Sequence, residues 1–436
     1  MKKTKIVYIA LTADSIHHGH MKILEKAREY GDVTIGLITD DAIAEYKRLP
    51  YLHYDQRKKI LANFKGVKKV VPQKEWDYSK NIKKIKPDFF VHGDDWKTGH
   101  MSVVRKNVIK ALKEFGGKLI EIPYTKGISS SALIDHQNKI SITPDIRRGI
   151  FRRLIESKKI CRFLETHNPI SAIIAENTYF EKNGKKIGFD GFWSSSLTDS
   201  TMMGKPDNES LEISQRLLGV NQIFDVTSKP LIFDGDTGGK IEHFDMKIKS
   251  IERLGISSVI LEDKTGLKKN SLLKNTSNQI QEDKNLFAEK IMVGKKAQIS
   301  KDFMIIARIE SFILGKNLKD AIERANTYVE AGADGIMIHS KSTNPQEIFK
   351  FSKIFRKNYE KIPLVSVPSS YNQVREKELI ENGFNIVIYA NHMLRASYPA
   401  MKKVALKILK NGRSKEADKD LFTIKNILDL IPGTNH

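Results

Sequence analysis

The stretch KIVYIALTADSIHHGHMKIL, residues 5–24, decides the fold of the N-terminal part of the chain. Its opening residues are mostly apolar, which predicts a strand buried on both faces of a sheet. A short polar turn follows, and apolar residues then recur at helical spacing at Met21, Ile23, Leu24 and Ala27. A strand that runs through a tight turn into a helix is the repeating unit of a parallel α/β sheet.

The alternation of strands and helical segments continues to about residue 133. The later segments are DVTIGLITD, RKKILANF, VKKVVP, NIKKI, DFFVHGD, VIKALKEF and KLIEIPY. Strands that alternate with helices predict a doubly wound, Rossmann-like sheet, whose ligand lies beyond the carboxyl ends of the strands. We therefore predict a nucleotide-binding domain over residues 1–135.

A second α/β series follows a segment without periodicity. Residues 136–149 lose the apolar pattern and contain a proline, which predicts a linker. The segments beyond it are ISAIIAE, IGFDGFW, PLIFDGD, SSVILED, FMIIARIE, ADGIMIHS, IPLVSVP and FNIVIYA. Because most of these short apolar strands precede a helical stretch, they predict a (β/α)8 barrel over residues 150–436, and an α/β fold class for the whole chain.

The composition excludes several classes of protein. Hydrophobic residues make up 40% and charged residues 29% of the chain, as in soluble globular proteins, and no apolar run is long enough to span a membrane. We therefore expect a cytoplasmic protein without membrane insertion. The net charge of +22 is spread along the chain, so we expect a solvated, lysine-rich surface and no nucleic-acid partner. The single cysteine, Cys161, excludes an internal disulfide and a cysteine-rich zinc site.

Three histidines, His17, His18 and His20, lie where the first strand leads into the helix. They are compatible with a metal site, for which Asp14 is one further donor, or with a purely structural role. A third interpretation is an anion site. Free backbone N–H groups and the helix dipole attract phosphate there, and Gly19 permits its close approach. Imidazoles at 17 and 20 would then stabilise the negative charge that develops around a phosphorus atom.

Three motifs of the N-terminal domain resemble those of the HxGH nucleotidyltransferases. IHHGH at 16–20, GDDW at 93–96 and TKGISSS at 125–131 occur in the same order in the glycerol-3-phosphate cytidylyltransferase type, together with YDQRKKIL. The resemblance implies CTP as a substrate and a transition state stabilised by His17 and His20. The residues that it places near the nucleotide are Thr12, Ala13, Gly19, Lys47, Arg57, Asp94, Trp96, Ser129 and Ser130.

The chain departs from the glycerol-3-phosphate enzymes at several motif positions. Leu11 replaces a glycine, Tyr124 an arginine and Lys126 a glutamate. Losing an arginine and gaining a lysine changes how an acceptor anion is held, so we expect an acceptor other than glycerol 3-phosphate. Adenylyltransferases have an arginine where this chain has Ile134, and the difference favours CTP over ATP.

In the C-terminal half, the segment FDGDTGG places Asp234 and Asp236 at the end of a predicted strand. Alternate residues of a strand share a face, so both carboxylates can bind one hard cation, and Mg²⁺ is the simplest choice. The next strand ends in LEDKTGLKKNS, which adds Glu262, Lys264 and Lys268. Acidic strand ends beside a solvated basic loop are the alternative, but the carboxyl ends of barrel strands are where such barrels carry catalysis.

This half resembles the phosphoenolpyruvate mutase and isocitrate lyase superfamily over about residues 150–410. The pattern EDKxxxKxNS matches the gating loop of the mutases, and the KKCGH loop of the lyases is absent. The resemblance implies Mg²⁺ held by Asp234 directly and by Asp207, Asp236 and Glu262 through water. It assigns catalysis to Asp207, Lys268, Asn270 and Arg308, and substrate binding to Trp193, Ser195, Ser196, Leu197, Ser271 and His339.

The chemistry that this resemblance implies is migration of a phosphoryl group from oxygen to carbon. Mg²⁺ would hold a pyruvate enolate while Arg308, Asn270 and Lys268 stabilise the migrating group. A loop that admits water would instead give a phosphonopyruvate hydrolase. Ser196 stands where mutases usually have glycine, and its side chain would crowd the substrate carboxylate or donate a hydrogen bond to it.

Together the two resemblances imply a bifunctional enzyme of phosphonate biosynthesis. The barrel would convert phosphoenolpyruvate to phosphonopyruvate, and the N-terminal domain would transfer CMP to a small phosphonate such as 2-aminoethylphosphonate. One alternative is a phosphonopyruvate hydrolase joined to a nucleotidyltransferase of other specificity, and another is a non-catalytic basic protein that binds RNA or membranes. Barrels of this superfamily are often oligomers, so we expect a homo-oligomer formed through the barrel domain.

Overall fold

The computed structural model describes residues 4–99, 101–123, 142–182, 185–266, 268–271 and 279–431. In these ranges the chain forms an open five-stranded sheet and a closed eight-stranded barrel. The predicted α/β fold class, with a Rossmann-like domain followed by a (β/α)8 barrel, is therefore confirmed. None of the helices described is long and apolar enough to cross a membrane.

The N-terminal sheet contains five parallel strands in the order β3-β2-β1-β4-β5. The strands are β1 (Ile6–Leu11), β2 (Asp32–Ile38), β3 (Val67–Gln73), β4 (Phe89–Gly93) and β5 (Lys118–Ile122), and the helices are α1 (His18–Arg28), α2 (Asp40–Ala44), α3 (Tyr54–Ala62), α4 (Ser79–Ile85) and α5 (Met101–Lys113). Val7 and Ile9 of β1 pack into one apolar cluster, and Tyr8 and Ala10 into another. The sheet is thus buried on both faces, which explains the continuous apolar run in its central strand.

The barrel is closed by eight parallel strands. They are β6 (Cys161–Glu165), β9 (Gly191–Ser194), β10 (Leu231–Asp234), β11 (Ser258–Glu262), β14 (Met304–Ile309), β15 (Gly335–Ile338), β16 (Leu364–Ser366) and β17 (Ile386–Tyr389). Two antiparallel pairs lie outside it, β7 (Tyr179–Lys182) with β8 (Lys185–Gly188) and β12 (Lys264–Thr265) with β13 (Ile280–Gln281). The helices are α6 (Pro144–Ser157), α7 (Pro169–Asn177), α8 (Ser196–Met202), α9 (Ile213–Phe224), α10 (Phe244–Leu254), α11 (Lys284–Ala297), α12 (Leu318–Glu330), α13 (Gln346–Asn358), α14 (Glu376–Glu381), α15 (His392–Asn411) and α16 (Ile424–Leu430).

The first predicted barrel strand is wrong. ISAIIAE forms helix α7, and the barrel instead begins one segment earlier, at β6. The Asn168 side chain accepts a hydrogen bond from Ser171 N at 2.8 Å, and Pro169 occupies the first turn. These helix-start signals outweigh the strand preference of the isoleucines. Helix α6 begins at Pro144, within the predicted linker 136–149, and residues 136–141 lie outside the described residues.

Helix α6 covers the amino end of the barrel. Its Arg147 donates to the carbonyl of Lys229 just before β10, and its Arg152 pairs with Asp334 just before β15, at 2.7 and 2.8 Å. Ala44 and Leu49 of the N-terminal domain belong to the same buried apolar cluster as Phe151 and Leu154 of α6. The N-terminal domain therefore lies against the amino end of the barrel, opposite the carboxyl ends of the barrel strands.

Candidate active sites

The first candidate site lies at the reversal of strand order in the N-terminal sheet. β1 pairs with β2 on one side and with β4 on the other. A crevice therefore forms at the carboxyl ends of β1 and β4, between the helices that follow these two strands. Thr12 and Ala13 directly follow β1, and Asp94 directly follows β4. Ala13 has φ +54°, in the left-handed region that a residue with a side chain rarely adopts.

His17 and His20 form a capping box at the start of α1. The Nδ1 atom of His17 accepts a hydrogen bond from Gly19 N at 3.1 Å, and Nδ1 of His20 accepts one from His17 N at 3.4 Å. A neutral imidazole whose Nδ1 accepts a hydrogen bond carries its proton on Nε2. The two rings, whose centroids are 4.1 Å apart, therefore offer two Nε2–H donors side by side at a helix N-terminus.

Both imidazoles are neutral at neutral pH in the free protein. Burial, then His17 and then Lys47 lower the pKa of His20 from 6.5 to about 4. Burial and His18 lower the pKa of His17 as well. The pair is thus suited to donate hydrogen bonds to a phosphate, and the charge of Lys47 lies close enough to His20 to influence it.

The pKa of His20 leads to a prediction for stability. Between pH 6.5 and about 4 the unfolded chain binds a proton at this position and the folded chain does not, so the free energy of unfolding falls as the pH falls through this window. We expect urea unfolding midpoints measured at pH 6.5 and at about pH 5 to differ less for His20→Asn than for the unsubstituted protein. The exposed His18 provides the control, and an equal pH dependence in His20→Asn would contradict the prediction.

The predicted phosphate contact of Arg57 needs correction. Arg57 is fully buried, and its guanidinium donates to the carbonyls of Leu52 and Ile38, both at 3.1 Å, to the Thr12 carbonyl and to Asp40 at 2.6 Å. Every nitrogen of the group is engaged within the protein. Arg57 therefore holds the turn after β1 and does not face a ligand.

Two other predicted nucleotide contacts also have internal partners. Trp96 is a core side chain, 1% exposed, that stacks on His92 and donates to Glu121 at 2.8 Å. Asp94 begins the short helical turn that contains Trp96 and lies 3.5 Å from Lys97. The predicted positions Ser129 and Ser130 lie outside the described residues.

The second candidate site is a cavity at the carboxyl ends of the barrel strands. Its volume is about 60 Å³. The predicted residues that line it are Trp193, Ser195, Ser196, Leu197, Asp207, Asp234, Glu262, Lys268, Asn270, Ser271, Arg308 and His339. Asp236 lies beside it and lines a neighbouring pocket. The tertiary structure thus brings together the residues that the sequence placed on separate strands and loops.

Lys268 is the central cation of this cavity. Its Nζ contacts Asp236, lies 2.8 Å from Asp207 Oδ1 and donates to Ser196 Oγ at 2.5 Å. Ser196 Oγ in turn donates to Asp234 at 3.0 Å, so the ammonium group is linked to three carboxylates. The hydroxyl of Ser196 is therefore part of the carboxylate network. Burial raises the pKa of Asp234, but Lys268 and the nearby arginines outweigh burial and hold this pKa below its usual value.

Arg308 organises the other side of the cavity. Its guanidinium donates to Glu310 at 2.6 Å and to Ser271 at 2.9 Å, and it lies 3.2 Å from Glu262. Glu310 also contacts Nδ1 of His339 at 2.8 Å. Arg308 and Lys268 therefore both line this cavity, where two positive charges can bind an anionic ligand.

The cavity is rich in carboxyl groups of the kind that bind a divalent cation. Six of them contact or adjoin four cationic side chains: Asp199, Asp207, Asp234, Asp236, Glu262 and Glu310 against Arg216, Lys264, Lys268 and Arg308. Burial raises the pKa of Glu262 to about 7, and its Oε1 lies 3.3 Å from Lys264 Nζ but makes no hydrogen bond. Oxygen donors of this kind fit Mg²⁺.

The described residues do not form a preassembled metal site. Within them, no three His, Cys, Asp or Glu side chains converge closely enough to hold a metal ion. Lys268 provides the reason, because its ammonium group lies between Asp207 and Asp236. The predicted ligands Asp234, Asp236 and Glu262 thus lie around Lys268 and do not converge on one metal position.

Two buried residues of this site, Glu310 and Arg216, were missed by the sequence analysis, which had already named Lys264. Glu310, fully buried, supports both Arg308 and His339, and Lys264 donates to Ser271 at 2.8 Å. Arg216 of α9 donates to Asp199 at 2.9 Å and to the Asp234 carbonyl at 2.6 Å. Glu310 is the last residue of the quoted segment FMIIARIE and could have been found there. Arg216 lies in a helix with no local signal.

The fold and the two sites define a class of protein, a two-domain α/β enzyme with paired imidazoles in one domain and a carboxylate-lined barrel mouth in the other. Residues 151–409 match the family model described as phosphoenolpyruvate phosphomutase, and residues 12–136 match the model described as cytidylyltransferase-like. The chain belongs to the phosphoenolpyruvate phosphomutase family through its barrel and carries a cytidylyltransferase-like domain before it. The predicted fusion is therefore confirmed.

Individual relatives match one domain each. The phosphoenolpyruvate phosphomutase of Tetrahymena pyriformis is 34% identical over 280 residues, which cover 64% of this chain and 89% of that protein. The glycerol-3-phosphate cytidylyltransferase of Bacillus spizizenii is 36% identical over 124 residues, covering 28% of this chain and 88% of that protein. A solved phosphonopyruvate hydrolase, in complex with oxalate and Mg²⁺, is 33% identical with a TM-score of 0.58, covering 66% of this chain and 95% of that one.

Proposed function

We propose that the barrel isomerises phosphoenolpyruvate to phosphonopyruvate with Mg²⁺, and that the N-terminal domain transfers CMP from CTP to a small phosphonate such as 2-aminoethylphosphonate. The barrel assignment depends on Asn270, whose Nδ2 donates to Asp207 at 2.8 Å beside Lys268. An amide donor and an ammonium group on one short segment can stabilise a phosphoryl group while it transfers from oxygen to carbon. Mutase and hydrolase relatives share the fold, so the choice between them rests on this segment.

Different residues of the cavity have different roles in the proposed phosphoryl migration. Asp234, Asp236 and Glu262 would hold Mg²⁺, which when bound stabilises negative charge on the enolate oxygen. Lys268 leaves the carboxylates and joins Arg308 in stabilising the transferring group. The buried walls of the cavity, among them Trp193, exclude water and prevent hydrolysis of that group.

Phosphorus NMR with phosphonopyruvate and Mg²⁺ tests the barrel assignment. A mutase converts the phosphonopyruvate signal to that of phosphoenolpyruvate, whereas a hydrolase produces inorganic phosphate. We expect phosphoenolpyruvate as the product, with the reaction abolished by EDTA. Release of phosphate alone would favour the hydrolase alternative, and no reaction at all would contradict both activities.

Asn270→Ala provides a sharper test of the same assignment. The substitution removes the amide donor but leaves the carboxylates, so we expect phosphoenolpyruvate formation to fall by about 10²-fold or more while Mg²⁺ affinity, measured by calorimetry, stays within about threefold. Asn285, at the start of α11, supplies a matched control, Asn285→Ala. Unreduced isomerisation in Asn270→Ala would contradict the role of this residue.

The N-terminal assignment depends on the capping box of His17 and His20. Two neutral imidazoles with Nε2–H donors lie at the N-terminus of α1. They can stabilise the five-coordinate transition state at the α-phosphorus of CTP, and no covalent enzyme intermediate is needed. The test is pyrophosphate release from CTP or ATP in the presence of a panel of phosphonates. We expect release with CTP, dependent on the phosphonate. Pyrophosphate release with ATP but not with CTP would identify the domain as an adenylyltransferase. No release with either nucleotide would contradict the proposed nucleotidyl transfer.

The arrangement of the domains supports two separate steps in one pathway. The N-terminal domain lies against the amino end of the barrel, whereas the cavity opens at the carboxyl ends of the strands. The product of the barrel therefore leaves into solvent before any activation by CTP. This separation leaves phosphonopyruvate open to modification in solution before CMP transfer.

Assembly through the barrel domain is also a proposal. Helix α15 contributes no buried residue, and its exposed apolar side chains include Tyr398, Met401 and Leu409. An apolar surface of this kind is typical of a protein interface. The cytoplasmic location and the absence of a nucleic-acid partner stay predictions. Turnover in the assays above would exclude the non-catalytic alternative.

A further inference from the structure

One buried arginine crosses from the barrel domain into the N-terminal domain. Arg153 of α6 is 7% exposed, and its Nη2 lies 3.3 Å from Asp40 Oδ2. Its Nη1 donates to the carbonyls of Pro50 and Tyr51, at 2.5 and 3.3 Å. Arg153 therefore holds two separate pieces of the N-terminal domain, the start of α2 and the segment before α3.

Both pieces lead to the turn of residues 12–14. The other oxygen of Asp40, Oδ1, accepts from Arg57 at 2.6 Å, and Arg57 donates to the carbonyl of Thr12. Tyr51 N donates to Asp14 Oδ1 at 2.7 Å. Two hydrogen-bonded chains therefore start at Arg153 and end on either side of Ala13.

This turn needs support from its surroundings. Ala13 has φ +54°, a conformation that an alanine adopts only where neighbouring contacts fix it. The turn connects β1 to the segment that carries His17 and His20, so its conformation determines where the two imidazoles lie relative to the crevice. Strained backbone that is held by long-range contacts is typical of functional sites.

We infer that Arg153, supplied by the barrel domain, is a positioning residue for nucleotidyl transfer in the N-terminal domain. It acts through Asp40 and Arg57 on one side and through Tyr51 on the other, and it contacts no substrate. The inference rests on the proposed nucleotidyl transfer. It implies that the two domains are joined for a structural reason as well as for a shared pathway, because the N-terminal site is completed by a side chain from the barrel.

The test compares Arg153→Met with Arg152→Met in the full chain. Arg152 is the neighbouring residue of α6 and makes a matched set of contacts, one carboxylate and two carbonyls, but all of them lie within the barrel domain. We expect Arg153→Met to lower kcat for pyrophosphate release by about 10- to 100-fold with little change in KM for CTP, since a small misplacement of catalytic groups has effects of this size. The barrel reaction should stay unchanged in both variants.

A double substitution separates positioning from a general loss of structure. If Arg153 acts through Asp40, then Arg153→Met in an Asp40→Asn background should lower kcat much less than it does alone. Arg153→Lys keeps the charge but cannot hold the carboxylate and both carbonyls at once, so we expect an intermediate kcat. Equal kcat for Arg153→Met and the unsubstituted protein would overturn the inference, as would an equal loss in Arg152→Met.

Hydrogen exchange distinguishes failure of this inference from failure of the proposed function. We expect amides of residues 11–20 to exchange at least several-fold faster in Arg153→Met than in Arg152→Met, whether or not any nucleotide is a substrate. If the unsubstituted protein releases no pyrophosphate, the proposed function fails while faster exchange still supports the role of Arg153 in holding the turn. Unchanged exchange together with unchanged kcat would reject the role itself.

Discussion

Replacing His20 with asparagine will lower the rate of pyrophosphate release from CTP by about 10²- to 10³-fold, the usual effect of losing one transition-state hydrogen-bond donor. The His20 ring accepts from His17 N through Nδ1, so Nε2–H is the donor that the proposed nucleotidyl transfer would use at the phosphate. Asparagine retains a polar group near Nδ1 but has no counterpart of Nε2–H. Steady-state assays with saturating CTP and phosphonate measure the effect as a fall in kcat.

The chain provides two controls for this experiment. His18 lies beside the pair but is exposed and takes no part in the capping box, so His18→Asn should retain the rate of the unsubstituted protein within about twofold. The barrel reaction, followed in the same samples, reports whether the variant is folded. A loss of both reactions would indicate misfolding, and full pyrophosphate release by a folded His20→Asn protein would disprove the assigned role.

Replacing Lys268 with methionine will lower the rate of phosphonopyruvate isomerisation by about 10²- to 10³-fold, because the charged group that we propose stabilises the transferring phosphoryl is lost. The same substitution should strengthen Mg²⁺ binding. Lys268 Nζ lies among Asp207, Asp236 and the hydroxyl bound to Asp234, where it would compete with a divalent cation for the carboxylates. Phosphorus NMR measures the rate, and calorimetric titration with Mg²⁺ measures the affinity.

The opposite directions of the two effects make the prediction specific. Loss of folding would weaken both catalysis and metal binding, whereas removal of a competing ammonium group weakens only catalysis. Lys284→Met removes the same charge from the barrel surface, where Lys284 pairs with the exposed Glu323, and should change neither quantity. Weaker Mg²⁺ binding in folded Lys268→Met would show that the lysine and the metal do not share the carboxylates.

Strand-end residues were the part of the sites that could be predicted from sequence. In a parallel sheet or barrel, the last residues of every strand lie at the same edge. Once the strands were recognised, the sequence therefore predicted that Asp234 and Glu262 lie close together. The histidine pair was predictable for a similar reason, because residues three apart share the first turn of a helix. Local spacing was sufficient in both cases.

Residues whose role depends on distant partners could not be predicted in this way. Arg57 was expected at a phosphate, yet it is buried against Asp40 and the Thr12 carbonyl. Trp96 lies in the core for a comparable reason, since its partner Glu121 comes from another strand. An arginine or a tryptophan near a motif has the same local pattern whether it faces a ligand or the interior, and only the packing distinguishes these cases.

By itself, the sequence determined two α/β domains, their order, and the edges of the sheet and barrel on which the polar side chains lie. These features follow from apolar periodicity and from residues a few positions apart, which are local properties of the chain. The tertiary structure alone decided that Lys268 lies among carboxylates from other segments of the barrel domain and that Arg153 reaches across to the N-terminal domain. Such contacts join residues far apart in the chain. They depend on how whole helices and strands pack together, and a local sequence pattern does not predict that packing.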